Sequence, residues 1–284
     1  MKHIIYRNKA TKLLASVITG FGISSMGASA QIAVDTELLL LVDVSGSVDT
    51  NEYNLMIEGY AAAFNNGNFI EDIQSGAVGS IAVGLMFWSG AEQQTLAVGW
   101  TEISDLASSQ AFATLIENTV RPYNGSTALG SALDAGAASF GTETGYADNG
   151  FTSTTQIIDV SGDGEDNATP PAGDRALNVR NARDAAIASG VDVINALPIG
   201  NAGGDLVGYF EDNVIAGSAG GVAAFAQPTA TFADVETSLE LKLAREITQG
   251  SNVSNGITVA AVPEPSSTFL IGLSGMLFIW RRKR

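Results

Sequence analysis

Cysteine is missing from all 284 residues, and the one histidine is His3. Without cysteine no disulfide can brace the fold, even in an oxidising compartment. Without a histidine beyond residue 3, no Ser-His-Asp or Cys-His nucleophile can be assembled, and an ordinary zinc site lacks its ligands. Positive charge is scarce too. Of the 14 Lys and Arg, four precede Gln31 and four close the chain. The stretch from 31 to 262 therefore holds six against 29 Asp and Glu, a net charge near −23. A surface so acidic repels nucleic acid and anionic membrane, which argues against both as partners of the folded part. It attracts divalent cations or basic surfaces, and it equally suits an exported protein as a solubility device.

The two ends carry what the middle lacks. Lys2, Arg7, Lys9 and Lys12 precede an apolar stretch from Leu13 to Ile23, and Ala28-Ser29-Ala30 supplies an A-x-A cleavage signal. This is the pattern of a secretory signal peptide, with signal peptidase cutting between Ala30 and Gln31. An uncleaved anchor helix is the alternative, interrupted by Gly20, Gly22, Ser24 and Ser25. At the other end Pro263-Glu264-Pro265 leads into a mostly apolar run from Ser266 to Trp280, and Arg281-Arg282-Lys283-Arg284 closes the chain. The run is short for a permanent transmembrane helix, and its basic end obeys the positive-inside rule. The three-part pattern resembles the PEP-CTERM sorting tail. That resemblance implies a Gram-negative bacterium, export across the inner membrane, transient membrane insertion through the tail, and removal of the tail by an exosortase. The protein would then be secreted or held at the cell surface. A plain C-terminal anchor is the simpler alternative.

Between the ends, buried-strand runs alternate with helical periodicity. Leu38 to Val44 reads as a central strand, and Thr50 to Asn65 as a helix capped by Asp49 or Thr50 with Tyr53, Met56, Ile57, Tyr60 and Phe64 as its core stripe. Ser80 to Trp88 and Gln94 to Trp100 form a strand pair, with Trp88 and Trp100 as packing residues. Helices are expected over Ser104 to Val120 and Thr127 to Phe140, and a flexible loop beside the site over Gly141 to Ser153. Then follow a strand (Thr155 to Val160), a helix (Arg175 to Ser189, stopped by Gly190) and a strand (Val191 to Leu197). A short helix or loop (Gly203 to Val214), a weaker strand (Gly220 to Ala226) and a closing helix (Phe232 to Thr248) complete the order. The pattern predicts an α/β fold: a doubly wound, mostly parallel central sheet with helices on both faces and one antiparallel edge strand. The expected division is 1–30 signal peptide, 31–249 folded domain, 250–262 linker and 263–284 sorting tail. No internal repeat is present.

Three segments carry the chemistry. Asp43-Val44-Ser45-Gly46-Ser47 follows the first strand and offers a carboxylate and two hydroxyls at the sheet's carboxyl edge, where ligands bind in open α/β sheets. Thr127, after Gly125-Ser126, either caps the next helix or turns its hydroxyl to a metal. Asp163, before Gly164, ends a later strand. Asp159, Ser161 and Asp163 also imitate the start of an EF-hand loop, but the twelfth position is Pro170 rather than Glu. Asp159 is expected at the strand end, bonded to nearby backbone, and Glu165 and Asp166 in a solvated acidic turn.

D-x-S-x-S, Thr and Asp-Gly, in this order, resemble the metal-ion-dependent adhesion site of von Willebrand factor type A domains, over about Thr36 to Gln249. The resemblance implies that Ser45 and Ser47 bind the ion directly, Thr127 directly or through water, and Asp43 and Asp163 largely through water. Hard oxygen donors suit Mg²⁺, with Mn²⁺ or Ca²⁺ possible. The implied function is metal-dependent adhesion, an acidic group of a protein or acidic polysaccharide completing the ion. The alternative is a structural component of an exopolysaccharide matrix in which the metal only stabilises loops. An enzyme is not expected. No G-x-G-x-x-G follows the first strand, and Ser45 stands where a haloacid-dehalogenase-type phosphotransferase would need a second Asp.

Overall fold

Eight consecutive buried residues, Thr36–Asp43, form strand β2 at the centre of the molecule. The computed structural model describes residues 30–200 and 205–256. The signal-peptide and sorting-tail segments, including Pro263, Glu264 and Pro265, lie outside the described residues. All described residues but Ala30 belong to one compact unit beginning at Gln31.

In chain order the strands are β1 (Ile32–Val34), β2, β3 (Ile81–Trp88), β4 (Gln94–Ile103), β5 (Phe151–Ser153), β6 (Gln156–Gly162), β7 (Val193–Pro198), β8 (Ala216–Ala219) and β9 (Val222–Ala223). The helices are α1 (Thr50–Asn66), α2 (Ile70–Gln74), α3 (Leu106–Glu117), α4 (Leu129–Ser139), α5 (Arg175–Ser189), α6 (Leu206–Asn213) and α7 (Val235–Ser254). The main sheet runs β4-β3-β2-β6-β7-β8-β9. β3, β2, β6 and β7 are parallel, whereas β4 pairs antiparallel with β3 and β8 antiparallel with β7. Both edges are therefore antiparallel, not one. The weak strand expected over Gly220 to Ala226 is a hairpin, β8–β9, turned by Gly220 and Gly221 at positive φ.

A central strand with helices on both faces must be apolar on both faces, and β2 is. Leu38, Leu40 and Val42 pack with α1, α3 and α7; Leu39 and Leu41 pack with α4, α5 and α6. α1 starts on Asp49, whose side chain accepts from Asn51 and Glu52 while Glu52 reaches back to the Asp49 N–H, a capping box. Trp88 is fully buried and donates to the Leu41 carbonyl at 3.2 Å, and Trp100 donates to Ser139 at 2.9 Å. Both are packing residues. The segment expected as a flexible loop beside the site is instead a 3₁₀ turn followed by β5, which pairs with β1. It lies at the amino ends of β2 and β6, opposite the site. α7 continues to Ser254, so the first turn of the expected linker is helical.

Candidate metal centre

Parallel pairing of β2 with β3 and β6 brings the strand exits to one edge. Asp43, buried at the end of β2, accepts the Ser45 N–H through Oδ1 at 2.7 Å, which folds the D-x-S-x-S loop back on itself. The hydroxyls then form a chain. Ser45 Oγ lies 3.1 Å from Ser47 Oγ, Ser47 donates to Asp163 Oδ1 at 2.7 Å, and Thr127 donates to Ser45 at 3.3 Å. All five residues singled out from the sequence meet here. The Thr127 alternatives separate as well: α4 is capped at Ala128 with no side-chain bond, so the Thr127 hydroxyl is spent on the site and not on its helix. Of the residues at the expected cleavage point, Gln31 donates to Thr142, Asp148 and the Phe151 carbonyl.

The loops are tied together by the chain itself. Gly46 N–H donates to the Gly125 carbonyl at 2.7 Å, and Arg121 donates to the carbonyls of Val44 and Ser45 at 3.0 and 2.6 Å. The amino end of α4 is capped from another loop. Asn167 Oδ1 accepts from Thr127 N–H, Asp166 Oδ2 from Gly130 N–H, and Thr169 Oγ1 from Ser131 N–H. Asp166 is therefore a buried joint, not part of a solvated turn; its Oδ1 also accepts from Ala168 and Thr169.

The electrostatics favour a cation. Burial lifts the Asp43 carboxyl to about 7; the Ser45 N–H opposes this, and the neighbouring Asp163 charge adds to it. Asp163 is raised by burial as well, against the Ser47 bond. Asp43 Oδ2 is buried with no hydrogen-bond partner. Gly162 keeps the space in front of it open, since a Cβ there would stand 3.2 Å from that oxygen. An orphaned carboxylate oxygen beside hydroxyl donors fits a hard divalent ion, which would hold both carboxyls ionised. Among the described residues no group of three or more His, Cys, Asp or Glu is arranged for a metal, so any ion here leans on hydroxyls.

Sequence reasoning missed a second cluster. Asp159 does not bond to neighbouring backbone at a strand end. It is buried within β6 with Lys242 Nζ 2.5 Å from its Oδ1, and Lys242 also binds Glu246. Asn195 donates to Glu246 at 3.0 Å and to Gln249 at 2.9 Å. This also removes the EF-hand alternative, because Asp159 and Ser161 are fully buried. A signal was present: Leu239, Lys242, Leu243, Glu246 and Ile247 recur at three- and four-residue spacing, which puts both charges inside the apolar stripe of α7.

The profile of a family described as "Protein of unknown function (DUF1194)" matches residues 33–251, and a PEP-CTERM protein-sorting motif matches residues 261–284. No curated protein matches the sequence. Among solved structures, proximal thread matrix protein 1 from the mussel byssus, with a zinc-occupied MIDAS motif, is 19% identical with a TM-score of 0.51. The match covers 76% of this chain and 48% of that one. The pilus adhesin SpaC from Lactobacillus rhamnosus GG is 14% identical with a TM-score of 0.50, over 78% of this chain and 31% of that one. A von Willebrand factor type A structure from Catenulispora acidiphila is 14% identical with a TM-score of 0.48, over 76% and 43%. The chain thus spans about half the length of the mussel protein and a third of the pilus adhesin. The fold is von Willebrand factor type A-like, and a PEP-CTERM motif follows it.

Proposed function

Because the chain belongs to the family described as "Protein of unknown function (DUF1194)", a description that assigns no activity, we propose a function from the site itself: metal-dependent adhesion by an exported protein of the bacterial cell surface or matrix. Ser45, Ser47 and Thr127 would hold Mg²⁺ through their hydroxyls, with Asp43 and Asp163 behind them. The ion would supply an open coordination position for an acidic oxygen of a partner. The observation that carries this reading is the orphaned, buried Asp43 Oδ2 beside the hydroxyl chain. The zinc-occupied MIDAS motif of the mussel protein supports a divalent ion on this fold. The all-oxygen donor set here favours Mg²⁺ or Mn²⁺ over zinc.

A purely structural ion is the weaker reading. Arg121, the Gly46–Gly125 bond and the capping of α4 already join the three loops, so an ion adds little to their cohesion. Catalysis is not proposed, since residues 31–262 contain no histidine or cysteine to serve as base or thiol nucleophile beside these oxygens. The sorting motif supports export after signal-peptide cleavage at Ala30–Gln31, and handling of the tail by an exosortase.

Calorimetric titration tests the site. Mg²⁺ should bind the wild type and fail to bind Asp43→Ala and Asp163→Ala. At a hundredfold excess over Kd it should stabilise only the wild type, by about 2.7 kcal/mol. Equal Mg²⁺ binding by all three proteins would place the ion elsewhere on the acidic surface.

A further inference from the structure

A cleft of about 390 Å³ opens beside the candidate metal centre and shares Asp163 with it. Leu55 of α1, Ile199 after β7 and Phe232 before α7 line its apolar side, with Ala233 exposed at the mouth and Glu52 on the rim. It has room for one aliphatic or aromatic side chain next to the candidate metal centre. The charge around it has one sign. Asp49, Glu52 and Asp163 border this edge, and the six cationic side chains between 31 and 256 are all committed elsewhere. Arg121 holds loop carbonyls, Arg175 the Thr169 carbonyl, Arg180 Asn213 and Arg183 Asp184. Lys242 is buried against Asp159, and Arg245 lies over the Phe225 ring at 3.7 Å.

We propose that the metal edge and this cleft form one composite site for a protein segment. An acidic side chain of the segment completes the ion, an apolar neighbour enters the cleft, and flanking basic residues face Glu52 and the acidic surface. The proposal rests on the metal reading above and narrows its partner. An acidic polysaccharide repeats negative charge along its length and has no side chain for Leu55, Ile199 and Phe232. The field of this surface opposes it, whereas a basic protein segment is drawn in.

The test selects a displayed nonapeptide library with a fixed central Asp on the full-length chain in Mg²⁺, with release by chelator, and repeats it on Ala233→Trp and Glu52→Gln. Ala233 is exposed, so the indole fills the cleft without entering the core, and Glu52→Gln keeps a side-chain carbonyl as capping acceptor for α1. The wild type should enrich an apolar residue beside the Asp, and Lys or Arg farther out. Ala233→Trp should lower the apolar enrichment about tenfold with Mg²⁺ affinity unchanged, and Glu52→Gln should lower the basic enrichment. Identical neighbour preferences in wild type and Ala233→Trp overturn the composite site. So does displacement of the retained peptides by oligogalacturonate at equal carboxylate concentration. Loss of Mg²⁺ titration in the wild type is a different failure: it removes the metal reading, and this proposal with it.

Discussion

Two acids four residues apart, Asp159 within β6 and Asp163 just beyond its end, are treated in opposite ways. Asp159 is sealed in the core and neutralised by Lys242, a cation the chain carries to it on α7. Asp163 stands at the sheet edge beside Asp43, with hydroxyls around the acids and no lysine; the one cation that reaches Asp163, Arg121, is bonded to the Val44 and Ser45 carbonyls. The inner cluster holds two carboxyls and one lysine. Its surplus negative charge is relieved by a proton, because burial and the Asp159 charge push the Glu246 carboxyl up to about 8 despite Lys242. The outer cluster holds two carboxyls, both raised by burial, and three hydroxyls, with Asp43 Oδ2 left without a hydrogen-bond partner. One cluster is a closed structural joint, and the other is the one to which the proposed function assigns an ion. The acids are alike, and only the inner pair has a lysine against it.

That contrast can be broken at its inner end first. Lys242→Met leaves Asp159 and Glu246 buried without their partner and should cost about 3–5 kcal/mol in urea unfolding at neutral pH, the largest effect expected. Replacing Asp159 and Glu246 by Leu in the same protein should recover most of it. No recovery would mean that the cluster holds α7 by more than charge balance.

The second test is pH. A carboxyl with a raised pKa keeps its proton in the folded state longer than in the unfolded state. Its contribution is full below about pH 4.5 and is lost as pH climbs through the folded value. Stability should therefore fall between about pH 5 and 8 in chelator. Asp43 and Glu37, both lifted by burial to about 7, carry the lower part of the fall, and Glu246 carries the upper part. Each proton contributes a slope of at most about 1.4 kcal/mol per pH unit. Glu246→Gln should flatten the curve above pH 7 alone. An unchanged upper limb would reassign the titration.

The smallest effect on stability is expected at the outer cluster, where the effect on function should be greatest. Ser45→Ala loses bonds to Ser47 and Thr127 and should cost only about 1 kcal/mol. Adhesion to cells or matrix should nevertheless fall to the level seen in chelator. Adhesion that declines only in step with the melting temperature would favour the structural-ion reading.

How much of this was legible in the sequence follows from the range of each interaction. The run Leu38–Val42, the capping box at Asp49 and Glu52, and the helix over Arg175–Ser189 depend on neighbours in sequence, and they stand where local pattern puts them. The five residues of the candidate centre are grouped by their resemblance to the type A metal site; the shared edge of a parallel sheet accounts for Asp43 and Asp163, whereas Thr127 lies between α3 and α4 and follows no strand. An i, i+4 Lys–Glu pair on a helix usually faces water, so local pattern alone does not reveal the role of Lys242. Only the packing of α7, one face of which is buried from Val235 to Ser251, turns it inward. The role of Asp166 is hidden for a related reason: Gly130, whose N–H it accepts, lies 36 residues away. The second antiparallel edge escaped notice because β8 and β9 are four and two residues long and rich in Gly and Ala, too short to show alternation.

The capping of α4 by the loop after β6 bears on how this surface can diversify. Residues 166–169 supply to α4 what a helix normally obtains from its own first turn, so the second and third loops are one inherited unit despite some 35 intervening residues. Exchanging residues 163–169 for a segment without Asp166, Asn167 and Thr169 should leave the amino end of α4 bare, and moving Gly125–Ser131 alone should strand the acceptors. The loop after Asp43 is tied to the same unit through the Gly46–Gly125 bond, which leaves cleft-wall residues such as Leu55 and Ala233 as the positions that can change without disturbing the entry of α4.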